Sequence, residues 1–272
     1  MNSAKNVKIA AIQMNSYSDI AYNIATAERL INEAVLQGAS YVLLPEYFYW
    51  MGRNDADRLS FAEVFGDGLL QRHLSGWAKQ YGVWISGGTI ALKSLEPDRV
   101  FNTNLTFDPS GICVGRYDKI HLFGFDDGEQ SYQESDVLYP GDQVQTIQTP
   151  FARIRPSVCY DLRFPELYRQ RPDYELITAP AAFTYKTGLA HWHLLLQARA
   201  VENQCYVLAA GQTGEHDGGK RTFGHSVIID PWGEIVAERQ EGDGIVIAEL
   251  DKTRLATVRR QLPALAHRVL SV

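Results

Sequence analysis

Apolar stretches typical of β-strands alternate with amphipathic stretches at helical spacing over most of this 272-residue chain. Residues 7–14 and 41–44 are the first two apolar runs, and each suits a buried strand. Between them, Asn23 can cap a helix that reaches about residue 37, because apolar residues recur at helical spacing and Gly38 follows as a natural stop. This alternation predicts an α/β fold in which helices cover the faces of a sheet.

The pattern continues to the end of the chain, with one hairpin inserted. The hairpin strands, 103–107 and 112–117, flank Asp108-Pro109-Ser110-Gly111, whose residues favour a tight turn. The other predicted strands are 83–90, 154–158, 176–179, 206–210, 225–229 and 245–250, and the other predicted helices are 70–81, 165–170, 190–203 and one beginning near 251. Since no linker or change of composition interrupts these elements, we expect a single domain spanning residues 1–272.

Composition narrows the classes of function. The formal net charge is -6, which argues against a nucleic-acid or anionic-membrane binder, since either would need a basic face. The chain has three cysteines, an odd and low number that does not suit a disulfide framework. No apolar run approaches the length of a membrane span, and residues 1–7 do not resemble a secretory signal. We therefore expect a cytoplasmic protein.

Cys159 has the context of a nucleophile. It follows an apolar strand and precedes Pro165, which suits the first turn of a helix. A thiol at such a strand-to-helix junction can project from the top of a sheet, where a helix start and a nearby cation would favour the thiolate. A buried, inert cysteine is the alternative from the residues alone, and it is the interpretation we give to Cys113 and Cys205.

Two charged residues occupy similar positions at strand ends. Glu46 directly follows the strand 41–44, and ligands of open α/β sheets bind beyond the carboxyl ends of strands. The aromatic residues at 47–50 would partly desolvate this carboxyl and so raise its pKa toward the range that suits a general base. Lys119 stands at the end of another strand and could stabilise a developing oxyanion. Each could equally be a solvated surface charge, so the residues alone leave both interpretations open.

Three segments in the right order now suggest a family. Leu43-Leu44-Pro45-Glu46, the run 116–122 and the run 157–166 resemble the three signature blocks of the nitrilase superfamily, the carbon–nitrogen hydrolases. The resemblance implies a four-layer αββα sandwich with Glu46 as general base, Lys119 as oxyanion-stabilising cation and Cys159 as nucleophile. It also implies that Glu134, within 133–141, holds Lys119 and orients the substrate.

Further segments resemble one branch of that superfamily. The runs 180–184, 187–192 and 196–207 are similar to deaminated-glutathione amidases and omega-amidases. The resemblance implies hydrolysis of a small amide, deaminated glutathione, through a cysteine thioester with release of ammonia and without a cofactor. It also implies a homodimer or larger homo-oligomer, which the tail at about 262–272 could join. The substrate contacts that we expect are Tyr160, with its backbone N–H, Arg163, Phe183, Thr184 and His191.

Other functions stay open. The same catalytic residues could serve an omega-amide such as alpha-ketoglutaramate, a nitrile or an N-carbamoyl compound. A Cys-His hydrolase would use His121 or His191 as base in place of Glu46. A non-catalytic binding protein with the same fold would have no need of Glu46, Lys119, Cys159 and Glu134 together.

Two departures from the family pattern bear on the site. Arg155-Pro156 interrupts the strand before Cys159, and proline in a strand indicates a bulge or an edge. The acidic segment 126–129, near the expected pocket rim, would repel an acidic substrate unless Arg163 or Lys186 offsets it.

The histidines do not indicate a metal site. His191 and His193 are two residues apart on a predicted helix and so face different directions. His121, His216 and His225 lack a recognisable ligand spacing. The sequence therefore predicts no metal.

Overall fold

The computed structural model describes residues 6–126, 128, 131–171 and 173–270. Its strands are β1 (Val7–Gln13), β2 (Ala39–Leu43), β3 (Trp84–Ser86), β4 (Ile90–Lys93), β5 (Val100–Phe107), β6 (Cys113–Asp118), β7 (Gly124–Asp126), β8 (Ser131–Gln133), β9 (Ile147–Gln148), β10 (Arg153–Pro156), β11 (Leu176–Ala181), β12 (Tyr206–Gly211), β13 (Thr213–Glu215), β14 (Arg221–Phe223), β15 (Ser226–Ile229), β16 (Ile235–Arg239) and β17 (Gly244–Leu250). Its α-helices are α1 (Ile20–Leu36), α2 (Leu69–Tyr81), α3 (Pro165–Arg169), α4 (Tyr185–Asn203) and α5 (Lys252–Gln261), and short 3₁₀ helices span Asp55–Phe61, Glu134–Asp136 and Cys159–Arg163. Within the described ranges, no helix is both long and apolar enough to cross a membrane.

Two sheets form the centre of the fold. One has the strand order β17-β1-β2-β3-β5-β4, with β6 also paired to β5, and the other has the order β16-β15-β12-β11-β10-β9. Along β1, Ile9 and Ala11 belong to the core between the sheets, whereas Ala10 and Ile12 belong to the core on the outer face. This follows from the two-residue period of a strand. Leu208 of β12 contributes to the same central core from the opposite sheet.

Helices cover the outer face of each sheet. On α1, Leu30 and Ala34 are fully buried against the first sheet, and α2 packs beside them. On α4, Trp192 and Leu196 are buried against the second sheet, together with Leu167 of α3. The order of layers is helix, sheet, sheet, helix, so the predicted four-layer αββα sandwich is confirmed.

The first helix is capped by Asp19 and not by Asn23. The Asp19 carboxylate accepts a hydrogen bond from the backbone N–H of Tyr22 at 3.0 Å, as an N-cap should. Asn23 lies inside the helix, where its buried amide donates to the carbonyl oxygens of Tyr17 and Tyr49 at 2.7 and 2.8 Å. The predicted cap was therefore wrong, because the asparagine satisfies loop carbonyls on either side of the helix instead.

The predicted strand at 83–90 is broken after Ser86, so that β3 and β4 are separate strands. Gly88 has a φ of +56°, and a Cβ at this position would lie only 2.0 Å from the carbonyl oxygen of Pro45. Glycine is needed here because the backbone must pass so close to the segment after β2. The next residue, Thr89, accepts a hydrogen bond from the N–H of Tyr47 at 3.0 Å.

Other elements also differ from the sequence prediction, which did not include the short strands β7, β8, β9, β13 and β14 or the strand β16. Helix α4 begins at Tyr185, earlier than the predicted start at 190, and Gly188 in its first turns allows close packing on Phe223. Strand β16 was not predicted because it is an edge strand with mostly exposed residues. It pairs with β15 across the turn 230–233.

Pro156 lies at an edge, as its residue type predicts. β9 is only two residues long and pairs with Arg153 and Ile154. On its other side, β10 pairs in parallel with β11, with Pro156 opposite Thr178. A proline at this end of β10 therefore leaves no ladder bond to β9 unmade.

Arg155 is a buried guanidinium that closes the end of α3. It is 1% exposed and donates to the carbonyl oxygens of Leu167 at 2.9 Å, Gln170 at 2.8 Å and Arg171 at 3.1 Å. Its guanidinium carbon also lies 4.8 Å from the ring centroid of Tyr174. The side chain thus satisfies carbonyl groups that a helix end leaves without partners.

We predict that Arg155→Leu lowers the free energy of unfolding by about 2–4 kcal/mol, because the buried carbonyl groups lose their donors. Arg153→Leu is the matched control, since that side chain is 38% exposed and forms ion pairs with Asp173 and Glu175. Its loss should cost less than about 1 kcal/mol. Urea unfolding of both variants measures the difference, and equal losses would contradict the role given to Arg155.

Candidate active site

Lys119 lies directly after β6, between two carboxylates. Its ammonium contacts Glu46 Oε1 at 3.1 Å and the two oxygens of Glu134 at 3.0 and 2.8 Å. The residue is 1% exposed. Burial acts to lower the pKa of Lys119, but the negative charges of Glu134 and Glu46 outweigh it and hold that pKa well above the usual value. Lys119 is therefore a fixed cation at neutral pH.

Glu46 follows β2 and is held by donors from both sheets. Its Oε1 accepts from Asn102 Nδ2 at 2.8 Å, and its Oε2 accepts from the backbone N–H of Ala182 at 2.7 Å. Asn102 lies on β5 of the first sheet, and Ala182 directly follows β11 of the second. The sequence analysis did not identify Asn102, which carries no signal besides being a polar residue in an otherwise buried strand.

Glu134 begins the 3₁₀ helix after β8. Its Oε2 accepts from the backbone N–H of Phe123 at 2.7 Å, in addition to the contacts with Lys119. The hydroxyl of Tyr47 lies 3.5 Å from its Oε1. The structure thus brings Glu134 to Lys119, the residue that it was predicted to hold.

Of the acidic segment 126–129, the structure describes Asp126, the last residue of β7, and Gly128. Asp126 is exposed, and its carboxylate accepts from the N–H of Gly128 at 2.9 Å. Asp127 and Glu129 lie outside the described residues.

Cys159 is the first residue of the 3₁₀ helix after β10, and it is held in a strained conformation. Its φ is +48°, a region that side chains other than glycine adopt at a cost. Burial raises the pKa of the Cys159 thiol well above its usual value, and the charges of Glu46 and Glu134 add to this against Lys119. Lys119 favours the thiolate, as expected of a nearby cation, but burial and the carboxylates outweigh its effect on this pKa.

Asp161 joins the segment after β6 to the segment after β10. Its buried carboxylate accepts from the hydroxyl of Tyr117 at 2.7 Å, from the N–H of His121 at 3.0 Å and from the N–H of Val158 at 2.8 Å. The Nδ1 of His121 lies 2.8 Å from the same carboxylate. The sequence analysis missed Asp161, although a carboxylate two residues after a candidate nucleophile was a usable signal.

Three of the predicted substrate contacts surround the guanidinium of a fourth, Arg163. The guanidinium carbon of Arg163 lies 5.8 Å from the ring centroid of Tyr160 and 5.5 Å from that of Phe183. Its terminal nitrogens lie 3.4 Å from Nδ1 of His191. Thr184, by contrast, uses its hydroxyl in a 2.7 Å hydrogen bond with a threonine one turn later on α4.

The two histidines considered as alternative bases are engaged elsewhere. The ring of His121 stacks on Phe164 at 3.7 Å, and its Nδ1 faces Asp161. His191 faces Arg163. The charged groups whose fields act on the Cys159 thiol are carboxylates and Lys119. The arrangement is thus a thiol beside a carboxylate–ammonium–carboxylate group.

These residues lie within a segment, 8–260, that matches the family model of the carbon–nitrogen hydrolases. The chain belongs to the carbon–nitrogen hydrolase family. It is therefore an enzyme that hydrolyses carbon–nitrogen bonds, and the family predicted from the three sequence blocks is confirmed.

Individual members of the family are similar over nearly the whole chain. A deaminated glutathione amidase of Yersinia enterocolitica is 40% identical across 97% of this chain and 93% of its own length. A deaminated glutathione amidase of Synechocystis is 42% identical across 96% of this chain and 97% of its own. The crystal structure of Saccharomyces cerevisiae Nit3, a member of branch 10 of the nitrilase superfamily, superposes with a TM-score of 0.89 at 31% identity, covering 98% of this chain and 97% of that one.

We predict that Glu46→Gln accelerates alkylation of Cys159 by iodoacetamide at pH 7. Removing the Glu46 charge leaves Lys119 to favour the thiolate, so the pKa of the thiol falls and the thiolate fraction rises. We expect an increase of at least about threefold, since one pKa unit is a tenfold change. In the unsubstituted enzyme, the raised pKa predicts slow alkylation at pH 7 that accelerates as the pH rises past 9.

Mass spectrometry of the Cys159 peptide separates this thiol from Cys113 and Cys205. Glu166→Gln is the matched control, because it removes an exposed carboxylate from the same sequence block. Slower alkylation in Glu46→Gln would show that the charge of Glu46 does not suppress the thiolate.

Proposed function

We propose that the enzyme hydrolyses deaminated glutathione, with Cys159 as nucleophile and a thioester as intermediate. The observation that carries the proposal is the position of Lys119. It is held between Glu46 and Glu134, and the charges of all three residues act on the buried thiol of Cys159. The relatives named deaminated glutathione amidase, at 40–42% identity, support the choice of substrate.

In the first half of the reaction, Glu46 takes the proton of the Cys159 thiol while the sulfur attacks the amide carbonyl carbon. The oxyanion that forms faces the ammonium of Lys119 and the backbone N–H of Tyr160. Glu46 then gives its proton to the amide nitrogen, the carbon–nitrogen bond breaks, and a thioester remains on Cys159.

The charges of the buried group explain why this step needs little rearrangement. Before attack, Glu46 and Glu134 each carry a negative charge next to Lys119. After attack, Glu46 is protonated and the negative charge is on the oxyanion, which the same ammonium can reach. The net charge of the group is unchanged, so the fixed ammonium stabilises both states without bringing in a counter-ion.

In the second half, Glu46 takes a proton from a water molecule that attacks the thioester. The carboxylic acid leaves, and the sulfur regains its proton. The nitrogen compound released depends on the amide. A primary amide gives ammonia, whereas the amide nitrogen of deaminated glutathione belongs to a cysteinyl residue, so the leaving group is a dipeptide amine. Ammonia release therefore applies only to the alternative, primary-amide substrates.

Arg163 is our proposed partner for a substrate carboxylate. Among the described residues, its nearest polar side-chain contact is the His191 ring at 3.4 Å, and no acidic side chain forms an ion pair with it. The aromatic rings of Tyr160 and Phe183 hold the guanidinium in place. A guanidinium can bind a carboxylate through two hydrogen bonds, and deaminated glutathione carries carboxylates at both ends.

We further propose that the enzyme is a single domain that self-associates through α4. Leu189, Leu194 and Val201 are large apolar side chains exposed on this helix, and such patches mark interaction surfaces. We propose that the tail joins this interface through Val269 and Leu270, whose apolar side chains are exposed. Since the mechanism needs a reduced thiol, we place the enzyme in the cytoplasm.

The test is a substrate panel of deaminated glutathione, alpha-ketoglutaramate, a simple nitrile and an N-carbamoyl amino acid. We predict preferential release of alpha-ketoglutarate and a dipeptide amine from deaminated glutathione, with activity abolished in Cys159→Ala. Preference for alpha-ketoglutaramate, with ammonia released, would move the substrate to the omega-amides. Full activity of Cys159→Ala would overturn the mechanism.

We predict that Arg163→Met raises the KM for deaminated glutathione by about tenfold or more, because a charge-assisted hydrogen bond to the substrate is worth about 1.5–3 kcal/mol. Turnover of an uncharged primary amide should change much less. Lys186→Met is the matched control, since it removes an exposed positive charge at the start of α4. A larger effect from Lys186→Met would assign the carboxylate to that residue instead.

A further inference from the structure

Two histidines and a glutamate converge on the second sheet, away from the catalytic group. His193 comes from α4, His225 from the residue before β15, and Glu238 from β16. Glu238 Oε1 lies 2.6 Å from His193 Nε2 and 2.7 Å from His225 Nδ1. One nitrogen of each ring and one carboxylate oxygen thus lie within 4.8 Å of one another.

This set of ligand atoms suits a divalent transition metal. Imidazole nitrogen and carboxylate oxygen bind Zn²⁺ at about 2.0–2.2 Å, and three protein ligands leave a fourth position for water. The three side chains are between one-fifth and one-third exposed, so an ion and a water molecule can reach them. The nitrogen–oxygen contacts need to lengthen by about 0.7 Å to admit a tetrahedral ion. Glu238 can move away from the two rings by this distance, because it lies on the edge strand β16.

His225 is held in place by its surroundings. Its φ is +54°, a conformation that costs free energy for a residue with a side chain. The carbonyl of His225 accepts from Trp192 Nε1 at 2.8 Å, and its ring stacks on Phe223 at 4.1 Å. The fold thus fixes the direction of one ligand ring at the expense of backbone strain, as expected where a side chain must point at a defined position.

We propose that His193, His225 and Glu238 bind one Zn²⁺ ion per chain. The ion would join α4 to the outer strand β16 of the second sheet, and so would stabilise the fold without taking part in the hydrolysis. The sequence predicted no metal because its ligands come from three separate elements, and no local spacing connects them.

The test measures Zn²⁺ binding to dialysed protein by titration calorimetry. The titration uses a Cys159→Ala background, because the catalytic thiol can bind zinc itself. We expect one Zn²⁺ per chain and a higher Tm in its presence. Substituting one ligand, as His193→Gln or Glu238→Gln, should weaken binding more than about tenfold. His191→Gln, on the same helix but outside the cluster, should leave the affinity unchanged.

Thermal unfolding without metal shows whether each variant is folded. Co²⁺ offers a second readout, since a four-coordinate nitrogen–oxygen site gives visible absorption bands that the ligand variants should lose. The proposal is overturned if Cys159→Ala binds no Zn²⁺ saturably, or if folded His193→Gln and Glu238→Gln variants bind it as tightly as the parent.

Discussion

The structure depends on a buried ammonium that lies between two buried carboxylates. Three charges out of water cost several kcal/mol each unless they are paired and hydrogen-bonded. Here the set of Glu46, Lys119 and Glu134 carries a net negative charge, and additional donors satisfy it. Asn102 donates from the first sheet and the N–H of Ala182 from just beyond the second. The charged group therefore requires the two sheets to keep one relative position, and its geometry is as fixed as the packing between them.

A third carboxylate, that of Asp161, fixes the position of the proposed nucleophile, Cys159. Asp161 accepts hydrogen bonds from the segment that follows Lys119 and from the residue that precedes Cys159. The two segments are distant in sequence and belong to different sheets. With Cys159 in a strained conformation, the thiol has little freedom to move away from the ammonium.

The sequence could predict those features that depend on local residue patterns. The alternating apolar periods predicted the helices and most of the longer strands, whereas the arrangement of the strands in two sheets came only from the resemblance of three short blocks to a known family. The features that were missed depend on contacts between distant residues. Asn23 had the residue type of a helix cap but bonds two loop carbonyls, and the strand at 83–90 is broken by an approach to Pro45 that no local pattern reveals. The raised pKa of the thiol was missed for the same reason, since burial and neighbouring carboxylates set it.

The hydrogen bonds also distinguish the two carboxylates beside Lys119. Both oxygens of Glu134 contact the ammonium, and one also accepts from the N–H of Phe123. Glu46 contacts the ammonium through Oε1 alone, which also accepts from Asn102, while its Oε2 accepts from the N–H of Ala182. Glu46 also contributes more than Glu134 to the raised pKa of Cys159. The carboxylate that exchanges protons in the proposed mechanism is thus the one whose charge acts more strongly on the thiol, and the other holds the ammonium with both of its oxygens.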